Sequence, residues 1–358
     1  MKKWSLTLAA SVSVLALAAC GAPGGGGEEA ASGDGGGGGG GPSRLQTVLD
    51  RGSLVCGVDG GIPGFSFVED GEYAGIDVDV CKAVAAALFD DPTAVEYRDL
   101  DSTERFEALK GGEVDMLARN TTWTISRDTS VGMEFGPTTF YDGQGMMVRA
   151  DAGITELTDF ADKSVCVETG TTTELNLTDQ MRQAGVSFEP QTFQDADAAY
   201  AAYEAGSCEG MTSDKSQLIA RRSTLSNPDE HVLLEVTMSK EPLGPLTINN
   251  DSAWFDAVKW ITFALIEAEE LGLTSENIAD ASSSEDPNIL RFVGAEGTLG
   301  EDMGLPNDFA ARAVGAVGNY GEVFARNLGE DSEFNLDRGQ NALWSEARTT
   351  RLPDAFGQ

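Results

Sequence analysis

LARNTTWTISRD, residues 117–128, follows directly on ERFEALKGGEVDM, residues 104–116. The longer piece reads as a helix stopped by glycine and then a strand, so the polar run lies just beyond a strand end. Asn120, Thr121, Thr122 and Thr124 are poor helix formers whose side chains bond readily to nearby backbone or to a ligand. Arg127 closes the run with a planar guanidinium suited to gripping a carboxylate through two parallel bonds. The set fits the carboxylate of a small solute. Taken alone, it fits equally an ordinary polar loop whose arginine sits in a surface ion pair.

Upstream, SRLQTVLDRG (43–52) reads as a short helix ending at glycine, and SLVCGV (53–58) as a strand. DGGIPG (59–64) makes a tight loop, with Phe65 and Phe67 beyond it. A helix begins at Asp77 or Asp79 and carries Val80, Val84 and Leu88 on one face. VEYRDL (95–100) is another strand. Strands alternating with helices predict a parallel-type sheet covered on both faces, with ligands held at the carboxyl ends of strands. The loop after Val58 and the stretch after Ala118 both occupy such ends.

Downstream the pattern starts afresh. GQGMMVRAD (143–151) and SVCVET (164–169) read as strands, and GTTTE (170–174) places hydroxyls and amides at a helix amino terminus. That arrangement suits an anion, although N-capping would account for any one of the threonines. CEGMTSD (208–214) is a strand ending in Asp214, placed in the second unit as Arg127 is in the first. A guanidinium and a carboxylate from two units facing one cleft suit a zwitterion; the competing role for Asp214 is to cap the helix starting near Lys215. EHVLLEVTM (230–238) reads as a strand and SKEPLGPLTINND (239–251) as a crossing segment. A strong helix over 254–273 carries Phe255, Val258, Ile261 and Leu265 on one stripe. Crossings near 147–151 and 239–244 predict two hinged lobes. From Asn277 a helical extension follows, with one helix over 308–328 and a last one over 338–348.

Composition narrows the possibilities. The net charge of −35, from 59 acidic and 24 basic residues, excludes nucleic acid as a partner. The single histidine, His231, excludes a histidine-rich metal site and reads as structural. Residues 1–19 carry Lys2, Lys3 and an apolar run shorter than the roughly 20 residues that span a bilayer, as in a secretory signal. The run ends in LAAC (17–20), resembling a bacterial lipobox, so Cys20 is the expected lipidated residue and membrane anchor. Residues 21–42, rich in glycine, form a tether. In an exported chain the four remaining cysteines predict disulfides, with three connectivities open. Given two lobes, only Cys56–Cys81 with Cys166–Cys208 keeps each bridge inside one lobe.

CGVDGGIPGFS (56–66), GIDVDVCKAVAAALFDDP (75–92), RFEALKGGEVDMLARNTTWTISRDTS (105–130), YDGQGMMVR (141–149), SVCVETGTTTELNL (164–177), SKEPLGP (239–245), WFDAVKW (254–260), FALIEAEELG (263–272) and VGNYGEVFARNLG (317–329) together resemble the solute-binding proteins of polar amino acid ABC transporters, bacterial extracellular solute-binding protein family 3, and within it the general L-amino acid binding proteins. The resemblance covers essentially the whole chain after the tether. It implies an α/β, two-lobe, type II periplasmic binding protein fold with a hinge of two crossovers and a helical carboxy-terminal extension. The expected limits are 43–148 and 242–276 for the first lobe, 149–241 for the second, and 277–358 for the extension. It implies an L-amino acid ligand, the permease subunits of an ABC importer as partners, no cofactor and a periplasmic or cell-surface location. Residue by residue, it implies that Arg127 binds the ligand's α-carboxylate with help from Asn120, Thr122 and Thr172. Asp214 would bind the α-ammonium, and Asp59 and Phe65 would line the pocket. The same fold also serves periplasmic dehydratases of the cyclohexadienyl type, in which Glu168 or Glu174 could act as the acid or base.

Overall fold

The computed structural model of the chain describes residues 43–344; the signal segment, Cys20, the tether and the tail from 345 onward lie outside the described residues. Ser43 accepts the Gln46 amide to open α1 (Arg44–Arg51), and Gly52 ends it in the left-handed region. β1 (Leu54–Val58) leads into a small antiparallel meander of β2 (Gly61–Ile62), β3 (Ser66–Glu69) and β4 (Glu72–Ala74). α2 (Ile76–Phe89) starts behind Gly75, where φ is 124° and a Cβ would stand 2.0 Å from the Phe65 carbonyl oxygen, so only glycine fits. β5 (Val95–Asp99), α3 (Arg105–Gly111), β6 (Met116–Leu117) and β7 (Met133–Phe135) complete the first pass through lobe 1.

The chain crosses on β8 (Phe140–Asp142) into β9 (Gln144–Arg149), β10 (Ser164–Glu168), α4 (Thr172–Ala184), β11 (Glu189–Phe193), α5 (Ala196–Glu204), β12 (Gly210–Asp214), α6 (Lys215–Thr224) and β13 (His231–Leu233). It returns on β14 (Glu241–Leu243) to β15 (Leu246–Ile248) and α7 (Ser252–Glu270). The extension follows as α8 (Pro287–Phe292), α9 (Leu299–Asp302), α10 (Phe309–Val317) and α11 (Tyr320–Asn327).

Each lobe is built on a five-stranded sheet. Lobe 1 runs β5-β1-β6-β15-β7, with β1 parallel to β5 and β6, and β15 antiparallel to its neighbours. Lobe 2 runs β11-β10-β12-β9-β13, with β9 antiparallel to β12 and β13. β8 and β14 pair with each other, Tyr141 opposite Pro242, and form the two-stranded hinge. The first crossing therefore lies at 140–143, earlier than the expected boundary at 148. Its cause is visible in β9, where Met146 and Val148 point to one face of the second sheet and Met147 to the other.

The inner strands β1, β10 and β12 are buried on both faces. Leu54, Cys56 and Val58 pack with α2, α7 and α10, while Val55 faces α3 with Leu117 and Leu246. Cys56 is joined to Cys81 and Cys166 to Cys208, the first bridge tying β1 to α2 and the second tying β10 to the connection between α5 and β12. α7 buries Trp254, Val258, Ile261 and Leu265; Phe255 stays half-buried.

The expected single helix over 308–328 is two helices. Gly318 breaks it, and Asn319 starts α11 with a capping box to Glu322. The expected last helix is a single 3₁₀ turn over Gly339–Asn341 within the described residues. Only His231–Leu233 of the strand expected over 230–238 pairs in the sheet. The extension packs α10 on α2 and α7, pairs Arg326 with Asp79, and reaches the hinge, where Asn341 accepts the Tyr141 amide at 2.7 Å.

Candidate functional site

The stretch after β6 lies against the hinge. The Trp123 amide donates to Pro242 O at 2.8 Å, and Thr122 bridges Leu243 of β14. Asn120 turns through a left-handed φ of 43°, its amide donating to the Asp77 carboxylate at 2.7 Å. Arg127 opens a π-helical turn, Arg127–Val131, and swings back so that Nη1 donates to the Thr122 carbonyl at 2.6 Å. A small cavity between the lobes is lined from lobe 1 by Arg105, Arg119, Asn120, Thr122 and Arg127, and from lobe 2 by Glu168, Thr171–Thr173, Ser213, Asp214 and Gln217.

Arg127 and Asp214 are 6 % and 5 % exposed, and neither forms an ion pair with any described residue. Burial lowers the Arg127 guanidinium to about 10, with Glu241 and Asp214 pulling the other way. Burial pushes the Asp214 carboxyl well above the usual carboxylate range, and the nearby Asp142 and Glu241 push it further. Asp214 stands at the N-cap position of α6 without capping it. The capping oxygen comes from Asp142 in the hinge, which accepts the Ser216 amide at 3.2 Å and the Ser216 hydroxyl. Asp214 Oδ1 is thereby left buried without a partner, as is Asn120 Nδ2.

Two expected lining residues are placed elsewhere. Phe65 is 1 % exposed in the lobe 1 core, edge-on to Phe140 at 5.3 Å, because the tight glycine loop turns its ring under the sheet. Asp59 lies behind Arg119, paired with it at 2.5 Å, and faces an adjoining cleft rather than the cavity. The Thr122 and Thr172 hydroxyls point to Glu241, at 2.6 and 2.9 Å, instead of standing free.

Glu241, Arg105, Arg119 and Asp142 carry parts of the site that sequence reasoning did not single out. Glu241 is 1 % exposed and accepts bonds from Thr122 of lobe 1, Thr172 and Asn176 of lobe 2, and Ser239. Its sequence signal was a lone acid between a lysine and a proline in a crossing segment. Glu168 accepts from Ser102 at 2.5 Å and from Arg119 at 3.3 Å, and Gln194 donates to Asp101 at 2.7 Å, so the lobes are bonded across the cleft. Glu174 accepts the Gly170 amide at 2.8 Å, which makes it a helix-end partner. His231 is buried against the Tyr203 hydroxyl at 2.8 Å. Among the described residues no group of three or more His, Cys, Asp or Glu could hold a metal ion.

Residues 54–293 match the family described as bacterial extracellular solute-binding proteins, family 3. The chain is 46 % identical over 312 residues to the general L-amino acid-binding periplasmic protein of Rhizobium johnstonii, covering 86 % of this chain and 92 % of that one. It is 44 % identical over 313 residues to a glutamate/glutamine/aspartate/asparagine-binding protein of Rhodobacter capsulatus, covering 87 % and 93 %. The structure of an ABC transporter periplasmic binding protein from Brucella ovis with glutathione bound superimposes with a TM-score of 0.83 at 44 % identity, covering 86 % and 97 %.

Proposed function

The chain belongs to the bacterial extracellular solute-binding proteins of family 3, and on that premise we propose that it is the substrate-binding component of an amino acid ABC importer. It captures an L-amino acid between its lobes and delivers it to the membrane permease. The observation that carries this reading is the pair Arg127 and Asp214: opposite charges, one from each lobe, both buried and neither in an ion pair with a described residue. Buried charges are tolerated when they are paired. The α-carboxylate and α-ammonium of one amino acid pair both at once, and no neutral or singly charged solute does.

In this reading Arg127 takes the carboxylate, Asn120 Nδ2 gives it a second donor, and Asp214 takes the ammonium. Thr122 and Thr172 act through Glu241, fastening the lobes beside the ligand. A ligand touching both lobes stabilises the closed form more than the open one, and that difference shifts the population. The permease then meets a closed surface. In this reading the site binds and carries out no chemistry: Glu168 accepts from Ser102 and Arg119 across the cleft, and Glu174 accepts the Gly170 amide. Export to the periplasm, with a lipid on Cys20 and the glycine-rich tether holding the lobes near the membrane, completes the reading.

The test is calorimetric titration of the purified chain with each L-amino acid, together with an assay for consumption of prephenate. Saturable binding of L-amino acids without turnover is expected. Consumption of prephenate without amino acid binding would overturn the reading.

A further inference from the structure

We propose that the segment TRLPDAF, residues 350–356, docks into a groove beside α7 on lobe 1 and straps the loop that carries Arg127. The groove encloses about 470 Å³. One wall is α7, where Phe255, Lys259 and Phe263 recur every four residues along one face. The facing wall is Trp123, Asp128, Glu134 and Phe135, from the loop after β6 and from β7. Both apolar and charged groups there stand unmatched. Trp123 is 44 % exposed, although its ring stacks on Phe135 with centroids 6.1 Å apart. Asp128 accepts the Trp123 indole N–H at 2.8 Å through one oxygen, and its other oxygen is buried without a partner among the described residues. The Glu134 carboxyl has no hydrogen bond or ion pair with a described residue, and burial and the nearby Asp256 raise it above the ordinary range.

The chain itself supplies an occupant of the right pattern. The described residues end at Trp344, whose amide donates to Glu270 of α7 at 3.0 Å. Glu270 follows Phe263 by about two turns and so lies on the face that lines the groove. Phe263 is ~10 Å back along the helix, and an extended segment from Trp344 to Leu352 spans up to ~26 Å, so Leu352 reaches it. Pro353 bars a helix at this point and favours extended backbone at Leu352. On an extended segment Leu352, Asp354 and Phe356 share one face at ~6.6 Å intervals, while Phe263, Lys259 and Phe255 follow one another at ~6 Å intervals on α7. Apolar side chains meet at both ends, and a carboxylate meets an ammonium between them. The alternate residues Arg351 and Pro353 then face the other wall, the guanidinium toward Asp128 and Glu134 and the proline ring toward Trp123 and Phe135. Docking covers Trp123 and Asp128, which stand on either side of Arg127 in the loop.

The experiment uses the full chain carrying Phe356→p-benzoylphenylalanine as a photoreactive probe. Irradiation is expected to join position 356 to 123–137 or 252–263 of the same chain, with a yield independent of protein concentration. No product, a product elsewhere in the chain, or one between two copies would overturn the proposal. In a second measurement, Asp354→Lys is expected to speed amide exchange over 123–131 by about threefold, and Lys259→Glu in the same chain to restore it by reversing the pair. Exchange unchanged by the first substitution, or not restored by the second, would equally overturn it.

Discussion

The Thr122 hydroxyl of lobe 1 donates to the carboxylate of Glu241 in the hinge at 2.6 Å, on the same oxygen that accepts Thr172 of lobe 2 at 2.9 Å. One buried carboxylate thus ties both lobes to the return crossing. Glu241→Ala leaves these hydroxyls and the Asn176 amide without their acceptor, at a cost of about 3 kcal/mol. Denaturant unfolding checks the loss. Small-angle scattering of the ligand-free variant is expected to give a larger radius of gyration than wild type, and an unchanged radius would show that Glu241 does not hold the lobes together.

In the proposed reading, Asp214 is held in the cleft for a ligand at the expense of the empty protein. Asp214→Asn removes a buried group that is costly to ionise, so the ligand-free variant is expected to be more stable than wild type by about 1–2 kcal/mol while losing amino acid affinity. Thermal unfolding with and without ligand measures both. A variant that loses stability in the empty state would mean that Asp214 has a structural partner instead.

Asp77 gives a pH dependence of definite sign. Burial raises its carboxyl to about 7, against the ordinary 3.8, with the Asn120 amide opposing the rise. The folded state therefore holds the proton more tightly than the unfolded state. The stability this confers is fully present below about pH 4 and is lost as pH rises toward 7. Asp77→Asn keeps an oxygen to accept the Asn120 amide and cannot ionise. The difference in unfolding free energy, variant minus wild type, is expected to grow from pH 4 to 7 and then level off. A flat difference would remove Asp77 from the account.

The Cys166–Cys208 bridge closes a segment of 42 residues in lobe 2. Replacing both cysteines by serine is expected to lower stability by about 3–4 kcal/mol through the freedom returned to the unfolded chain. Denaturant midpoints under reducing and oxidising conditions report it. Wild type should respond to reductant more strongly than the double variant, which keeps the Cys56–Cys81 bridge.

Local signals in the chain located most of the fold and about half of the residues that line the candidate site. Strands alternating with glycine-stopped helices marked the two sheets, because the inner strands β1, β10 and β12 are buried along their whole length and each such stop needs a left-handed residue. Arg127 was singled out because it closes a polar run beyond a strand, and Asp214 because it ends a strand of the second unit. The first crossing was misplaced because β9 is as apolar as a lobe 1 strand, and only its pairing with β12 assigns it to lobe 2. Phe65 was misread because a ring after a glycine loop can face either side, and the tertiary packing against Phe140 decided it. Glu241 and Arg105 were missed for a common reason. Each sits in a segment with an adequate local explanation, a crossing and a helix start, and only the fold brings it to the cleft. Asp214 looked like a helix cap because no spacing reveals that Asp142, 72 residues earlier, supplies the acceptor for Ser216.

The central claim, that the cleft is built for both ends of an amino acid, is tested most directly by titrating the purified chain with a bound L-amino acid, its decarboxylated amine and its deaminated acid. The account predicts tight binding of the intact zwitterion and a loss of at least about a hundredfold for each analogue, since each leaves Arg127 or Asp214 buried and unpaired. An analogue lacking one end that binds as tightly as the amino acid would contradict it.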